Sequence, residues 1–312
     1  MSKRGWILFG AMGLIWGIPY LLIKVAVDEL EPATLVLART ALGAALLMPI
    51  ALARGLVRPL FARWKPLLLY TVIEICIPWL LLGFAELRLS SSLTGLLIAA
   101  VPLVGAALAR YGPAHDQLDS RRVAGLLVGL AGVCALVGFE VSVSDSRAVV
   151  AIAIVAVAYA VGPLILARSL SDLPAMGVVA ASLLLSAVIY LPVGVAQAPS
   201  HWPSGKVIAA VVALAVICTA LAFLLFFELI AEVGPARATV ITYLNPAVAL
   251  VLGVAVLDEK FSVATGIGFV LILIGSVLAT AGNRGQPRRR TTGDDERAEV
   301  ECRDLSSPVP EP

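Results

Sequence analysis

"TYLNPAVALVLGVAVLDEKF", residues 242–261, sets a proline inside a long apolar run and closes that run with two acids. Within a helix, proline lacks a donor and crowds the carbonyl four residues back, so Pro246 is expected to bend this segment and free the carbonyl of Thr242. Thr242, Tyr243 and Asn245 supply polar groups beside the break. In lipid such a break is tolerable only where protein or a wet cavity receives the freed group.

The rest of the chain says which solvent applies. Of its 312 residues 60% are hydrophobic and only 14% charged, and the mean hydropathy is +0.98. Soluble domains are charged at about a quarter of positions, so the bilayer is the expected solvent and partner. A spanning helix needs about 20 apolar residues at about 1.5 Å each. Ten such runs occur, at 5–27, 33–53, 66–86, 91–111, 122–140, 147–168, 175–197, 206–230, 235–257 and 262–282. The connections 28–32 and 141–146 are so brief that the spans they join must be antiparallel hairpins. The opening "MSKRGWILFGAMGL" imitates a secretory signal, but its apolar run continues to Lys24 and nine more follow, so a retained first helix is expected.

Charge placement then orients the bundle. Alternating ten spans from a cytoplasmic start puts Lys3, Arg4, Arg54, Arg58, Arg63, Lys65, Arg110, Arg121, Arg122, Arg168, Arg284 and Arg288 to Arg290 inside. Arg88, Arg147, Lys206 and Lys260 fall outside, and both termini are expected in the cytoplasm. The tail 283–312 has almost no apolar content and reads as disordered and cytoplasmic. Its arginine cluster follows the inside-positive bias, and no nucleic-acid partner is expected. Cys76, Cys134, Cys218 and Cys302 show neither metal spacing nor a disulfide framework.

Several landmarks recur at one interval. Pro32 and Pro174 differ by 142, Pro49 and Pro192 by 143, and Pro102 and Pro246 by 144. Gly125 and Gly132 precede Gly268 and Gly275 by 143. The chain therefore reads as two five-span halves, 1–140 and 147–282. An odd number of spans per half inverts the second copy, an arrangement characteristic of secondary carriers with a site where the copies meet. The fold class expected is all-α integral membrane, ten transmembrane helices in two inverted five-helix repeats. Pro102 interrupts the fourth span at the depth where Pro246 interrupts the ninth, and the pair marks either a central cavity or two packing kinks. Asp258 and Glu259 precede the tenth span and Asp116 the fifth, positions where an acid caps a helix and favours its positive end, the alternative role being proton coupling.

"WGIPYLLIKVAVDELEPATLVLARTALGAALLMP" (16–49) and "TALAFLLFFELIAEVGPARATVITYLNPAVALVLGVAVLDEKF" (219–261) resemble the two halves of an EamA-type transporter of the drug/metabolite transporter superfamily. The likeness covers about residues 5 to 282. Its landmarks are Trp16, Gly17, Pro32, Arg39, Gly234, Pro235, Tyr243, Pro246 and Glu259. The resemblance implies an inverted-repeat carrier, typically of the bacterial inner membrane and often exporting amino acids or other small metabolites. "GPAHDQLDS" (112–120) departs from the family's glycine and glutamate.

An ionisable side chain at membrane depth is costly and presumes a partner or a purpose. Glu74 is the deepest acid, about 12 Å from the inner end of the third span, and Arg39 lies about 9 Å below the outer end of the second. Glu74 held by Arg39 is expected either as a site for a substrate amine or proton, or as a fixed ion pair. Lys24, Glu86 and Glu228, near span ends, read as interfacial. Trp16, Tyr20, Tyr159 and Tyr243 either line a cavity or pack, and Trp79 reads as nearer an interface. "GLIWG" (13–17) and "GLLVG" (125–129) have the spacing for close helix contact, within one bundle or between the protomers of a homodimer.

His115 and His201 stand in loops without neighbouring ligands, and no metal or cofactor is expected. No phosphate loop of the GxxxxGK[ST] type is present, which argues against direct coupling to ATP. A secondary transporter of a small solute, driven by a solute gradient or by protons, is the leading reading. Its rivals are a non-transporting membrane scaffold and an intramembrane enzyme, for which the spans offer neither histidine nor suitably paired acids.

Overall fold

The structure, a computed structural model, describes residues 2–109, 120–140, 142–234 and 238–280. Among these, nine helical segments are long and apolar enough to cross a bilayer, and a tenth, Ile241–Leu257, is shorter. The first three spans are Lys3–Ala26, Pro32–Ala53 and Trp64–Glu86, the last led by a 3-10 turn at Arg58–Arg63. The fourth is in two pieces, Ser91–Ile98 and Val101–Ala109, and the fifth is Ser120–Glu140. Ser146–Ser169, Ala175–Ala196 and Gly205–Val233 follow as the sixth to eighth. The ninth comprises a 3-10 turn, Thr239–Tyr243, and a helix, Asn245–Leu257, and the tenth is Val263–Thr280. Asp116, Pro235 and the tail 283–312 lie outside the described residues.

Hydrogen bonds and ion pairs sort the connections into two ends. At the N-terminal end Arg4 pairs with Glu228 at 2.5 Å, Ser2 donates to Glu232, and Arg63 meets Asp172 at 3.4 Å. At the far end Glu29 accepts from the amide of Ser204 at 2.7 Å and Arg88 approaches Asp145 at 4.0 Å. This grouping is what ten alternating crossings require. The Ser204 contact also holds the Glu29 carboxyl below the usual carboxylate range. Large apolar side chains such as Ile7, Val150 and Ile267 face outward at more than half exposure, as lipid contact demands.

Lipid tails compete with any apolar helix face, so the spans must associate through close packing and directed polar contacts. The fifth and tenth spans pack intimately because glycines face backbone. A side-chain carbon at Gly125 would meet the carbonyl of Gly275 at 2.8 Å, and one at Gly132 would meet that of Gly268 at 2.7 Å. Gly13 and Gly17 similarly admit Leu244 and Val248 of the ninth span. Both small-residue motifs are thus used inside the chain. The second and seventh spans form another close pair, in which Thr34 donates to the carbonyl of Gly194 at 2.9 Å.

Candidate functional site at mid-membrane

The third span changes pitch where its acid lies. Val72–Cys76 form a π-helical turn inside the helix, a feature that puts a carbonyl out of register and is frequent at functional sites. The carbonyl of Cys76 accepts from the Tyr190 hydroxyl of the seventh span at 2.9 Å. Glu74 occupies the centre of the turn. Its Oε2 is buried without a hydrogen-bond partner and fills the space that a side chain at Gly162 of the sixth span would need. The residue as a whole is only half-buried.

Arg39 of the second span is buried at 7% exposure. Its guanidinium lies 3.7 Å over the centre of the Trp79 ring, and Nε donates to Thr219 Oγ1 at 3.0 Å. Thr219 stands in a second π-helical turn, Val216–Leu221 of the eighth span, and donates in turn to the carbonyl of Leu214 at 2.8 Å. The expected pair between Arg39 and Glu74 is therefore not formed; among the described residues no ion pair joins them. Depth alone put the two charges within reach, but helix rotation decided the partner. Trp79, five residues beyond Glu74 and so about 7.5 Å along the axis, takes the cation instead, an interaction worth about 2 kcal/mol when desolvated.

Of the aromatic candidates, Tyr159 stands within electrostatic reach of Glu74 and Arg39 and close to Trp79. Tyr20, buried, neighbours Tyr159 and Arg39. Trp16 is used in packing, its ring 4.7 Å from that of Phe226 and 6.1 Å from that of Phe223. Tyr243 shares a 2.8 Å hydrogen bond with Thr280 of the tenth span, and Thr242 is exposed. Asn245, with its amide nitrogen turned toward them, donates to the carbonyls of Gly13 at 3.2 Å and Ile241 at 3.0 Å. The polar groups around Pro246 thus bind the ninth span to its neighbours.

The prolines act differently from an interior kink. Both Pro102 and Pro246 stand in the first turn of a helix, where a missing donor costs nothing. The interruption precedes each proline, at Ala99–Ala100 in the fourth span and at Leu244 in the ninth. In the fourth, the Ser276 hydroxyl of the tenth span donates to the carbonyl of Ala99 at 3.2 Å. Pro246 is buried and Pro102 half-buried.

Sequence comparison places this geometry. A family model described as "EamA-like transporter family" matches residues 3–138 and again 146–281. The chain belongs to the EamA-like transporter family. An uncharacterized transporter of Archaeoglobus fulgidus is 23% identical over 290 residues, 90% of this chain and 99% of that protein. The uncharacterized inner membrane transporter YedA of Escherichia coli K12 is 27% identical over 286 residues, 88% of this chain and 91% of YedA. A solved crystal structure superposes with a TM-score of 0.65 at 26% identity, covering 89% of this chain and 98% of its own. The protein is a multi-pass membrane transporter.

Two acids of this EamA-like transporter hold places other than those expected. Glu259 does not cap the tenth span, whose first turn is met by Ser262 through a 3.0 Å bond from the amide of Thr265. It reaches the N-terminus of the fourth span instead, accepting from the amides of Ser91 at 2.7 Å and Ser92 at 2.9 Å and from the Ser92 hydroxyl. Asp258, in the left-handed region at φ 53°, makes the turn that aims it there. Glu86 is fully buried rather than interfacial. Thr219, Ser182 and Ser186 were not singled out from the sequence, since a lone hydroxyl in an apolar span carries no pattern; the last two have buried oxygens without partners.

Proposed function

We propose that this transporter is a secondary carrier of a small metabolite, in the class of amino-acid or metabolite exporters, with its solute site at the group formed by Glu74, Arg39, Trp79, Tyr159 and Thr219. The observation that carries the reading is Glu74: a carboxylate at mid-membrane, on a π-helical turn, with one oxygen unpartnered and the residue still partly accessible. Such a group is expensive to keep in a bilayer and idle as a structural brace. It suits a substrate ammonium or a proton, while the Arg39 guanidinium, supported by one hydroxyl and one ring, retains donors for an anionic group.

Alternating access between two inverted halves, 1–140 and 147–282, is the mechanism we infer. Its support is the double match of the family model and the common spacing of landmarks. Both the π-helical turns, beginning at Val72 and Val216, and the proline-led helices recur 144 residues apart. The cross-packing of Gly125 on Gly275 and Gly132 on Gly268 is what helices related by a two-fold axis would make. The basic residues of the N-terminal end support a cytoplasmic N-terminus in a bacterial inner membrane.

The test is counterflow in proteoliposomes against a mixture of amino acids and small amines, read by mass spectrometry. Saturable exchange of at least one solute, reduced about tenfold or more in Glu74→Gln, is expected. Exchange no greater than in empty liposomes, or unchanged exchange in the variant, would overturn the reading.

A further inference from the structure

The third span ends in a second carboxylate that the mid-membrane group does not use. Glu86 has 0% exposure, and neither carboxylate oxygen has a hydrogen-bond partner. The titratable groups facing it are Lys24 and Tyr20 of the first span and Glu259 of the connection before the tenth; Arg39 and Tyr159 stand beyond Tyr20. Lys24 is the nearest cation, yet its Nζ donates to the main-chain carbonyls of Glu86 at 2.5 Å and Leu89 at 3.1 Å. Glu259 is engaged with the amides of Ser91 and Ser92. A buried carboxylate left without a partner is strongly disfavoured as an ion, so such a group holds a proton instead.

We propose that Glu86 is a proton-binding site at the far end of the bundle, separate from Glu74. The same ammonium that ties Glu86 and Leu89 through their carbonyls lies within a side chain's reach of the Glu86 carboxylate. When the proton leaves to water, Lys24 turns from the carbonyls to the carboxylate and the ion pair replaces the two main-chain bonds. The connection 87–90 is then released from the first span, and the start of the fourth, with the buried and unpartnered Ser91 hydroxyl, opens to water. The inference rests on the transporter reading for its use, in which this proton would be the coupling ion.

Two measurements on the full-length protein in liposomes test the site without any solute, so their failure leaves the Glu74 flux result untouched. Of the infrared bands of protonated carboxyls in the parent protein, one should be lost in Glu86→Gln and retained in Glu74→Gln. Lys24→Met, which removes the cation that would receive the carboxylate, should shift the loss of that band to higher pH. Labelling of Ser91→Cys by an impermeant maleimide should accelerate severalfold from about pH 5 to about pH 9, relative to an exposed Ser200→Cys control, and this acceleration should vanish when Glu86→Gln is added. An unchanged infrared band in Glu86→Gln, or the same pH dependence of labelling with and without the substitution, would overturn the proposal.

Discussion

The third and eighth spans each pass through a π-helical turn, yet the two turns are finished in opposite ways. In the eighth, Thr219 closes its own account of hydrogen bonds: it donates to the carbonyl of Leu214 and accepts from Arg39. In the third, a carbonyl of the turn, that of Cys76, is met from outside by Tyr190, and the side chain at the turn, Glu74, keeps an oxygen unmatched. One irregularity is spent on holding a cation still. The other leaves unmatched polar capacity at mid-membrane, which is the condition for binding something else.

Substitutions that exchange or abolish these roles break the comparison, and their effects should fall in a definite order. The largest belongs to Glu74→Gln, which keeps shape and removes charge. Because bonds to an ionised group are worth about 1.5–3 kcal/mol, solute flux should fall by about tenfold or more while the melting temperature stays near that of the parent. Gly162→Ala comes next: the added methyl group collides with the Glu74 carboxylate, and overpacking of this kind costs about 1–3 kcal/mol. Adding Glu74→Ala should restore most of that stability, a rescue visible in thermal unfolding.

Thr219→Val should act on stability more than on solute recognition. It leaves the carbonyl of Leu214 and the Nε of Arg39 without their partner, at about 1–3 kcal/mol, and Thr219→Ser should recover most of the loss. The smallest effect is expected for Tyr190→Phe, which removes one neutral hydrogen bond to the π-helical turn, about 1 kcal/mol. If Thr219→Val abolished flux at unchanged stability while Glu74→Gln did the reverse, the roles assigned to the two turns would be exchanged.

The comparison also shows what the amino-acid sequence can and cannot disclose. The spans were legible because their length and apolarity are dictated by the bilayer, and the expected 33–53 and 175–197 fall within a residue or so of Pro32–Ala53 and Ala175–Ala196. The breaks near Pro102 and Pro246 were legible too, but not that each proline would start a helix rather than bend one. Glu259 was readable as a cap, though not of the fourth span, which lies more than 160 residues away in the chain.

Side-chain partners at depth were the least legible. A helix with apolar residues on every face has no polar stripe to set its rotation, so depth arithmetic could bring Arg39 to within about 9 Å of Glu74 along the membrane normal without showing that Trp79 and Thr219 would face it. The π-helical turns compound this. Each inserts one residue into the turn and so rotates everything beyond it, and nothing in "VIEIC" or "VICTAL" announces the change.

Thermal unfolding of the purified protein across a library of amino acids and small amines bears most directly on the site at Glu74. A ligand bound to the folded state at about a hundred times its Kd stabilises by about 2.7 kcal/mol. At least one compound should raise the melting temperature of the parent protein and of Tyr190→Phe saturably, and should fail to do so in Glu74→Gln. An equal rise in the parent and in Glu74→Gln would place the solute elsewhere.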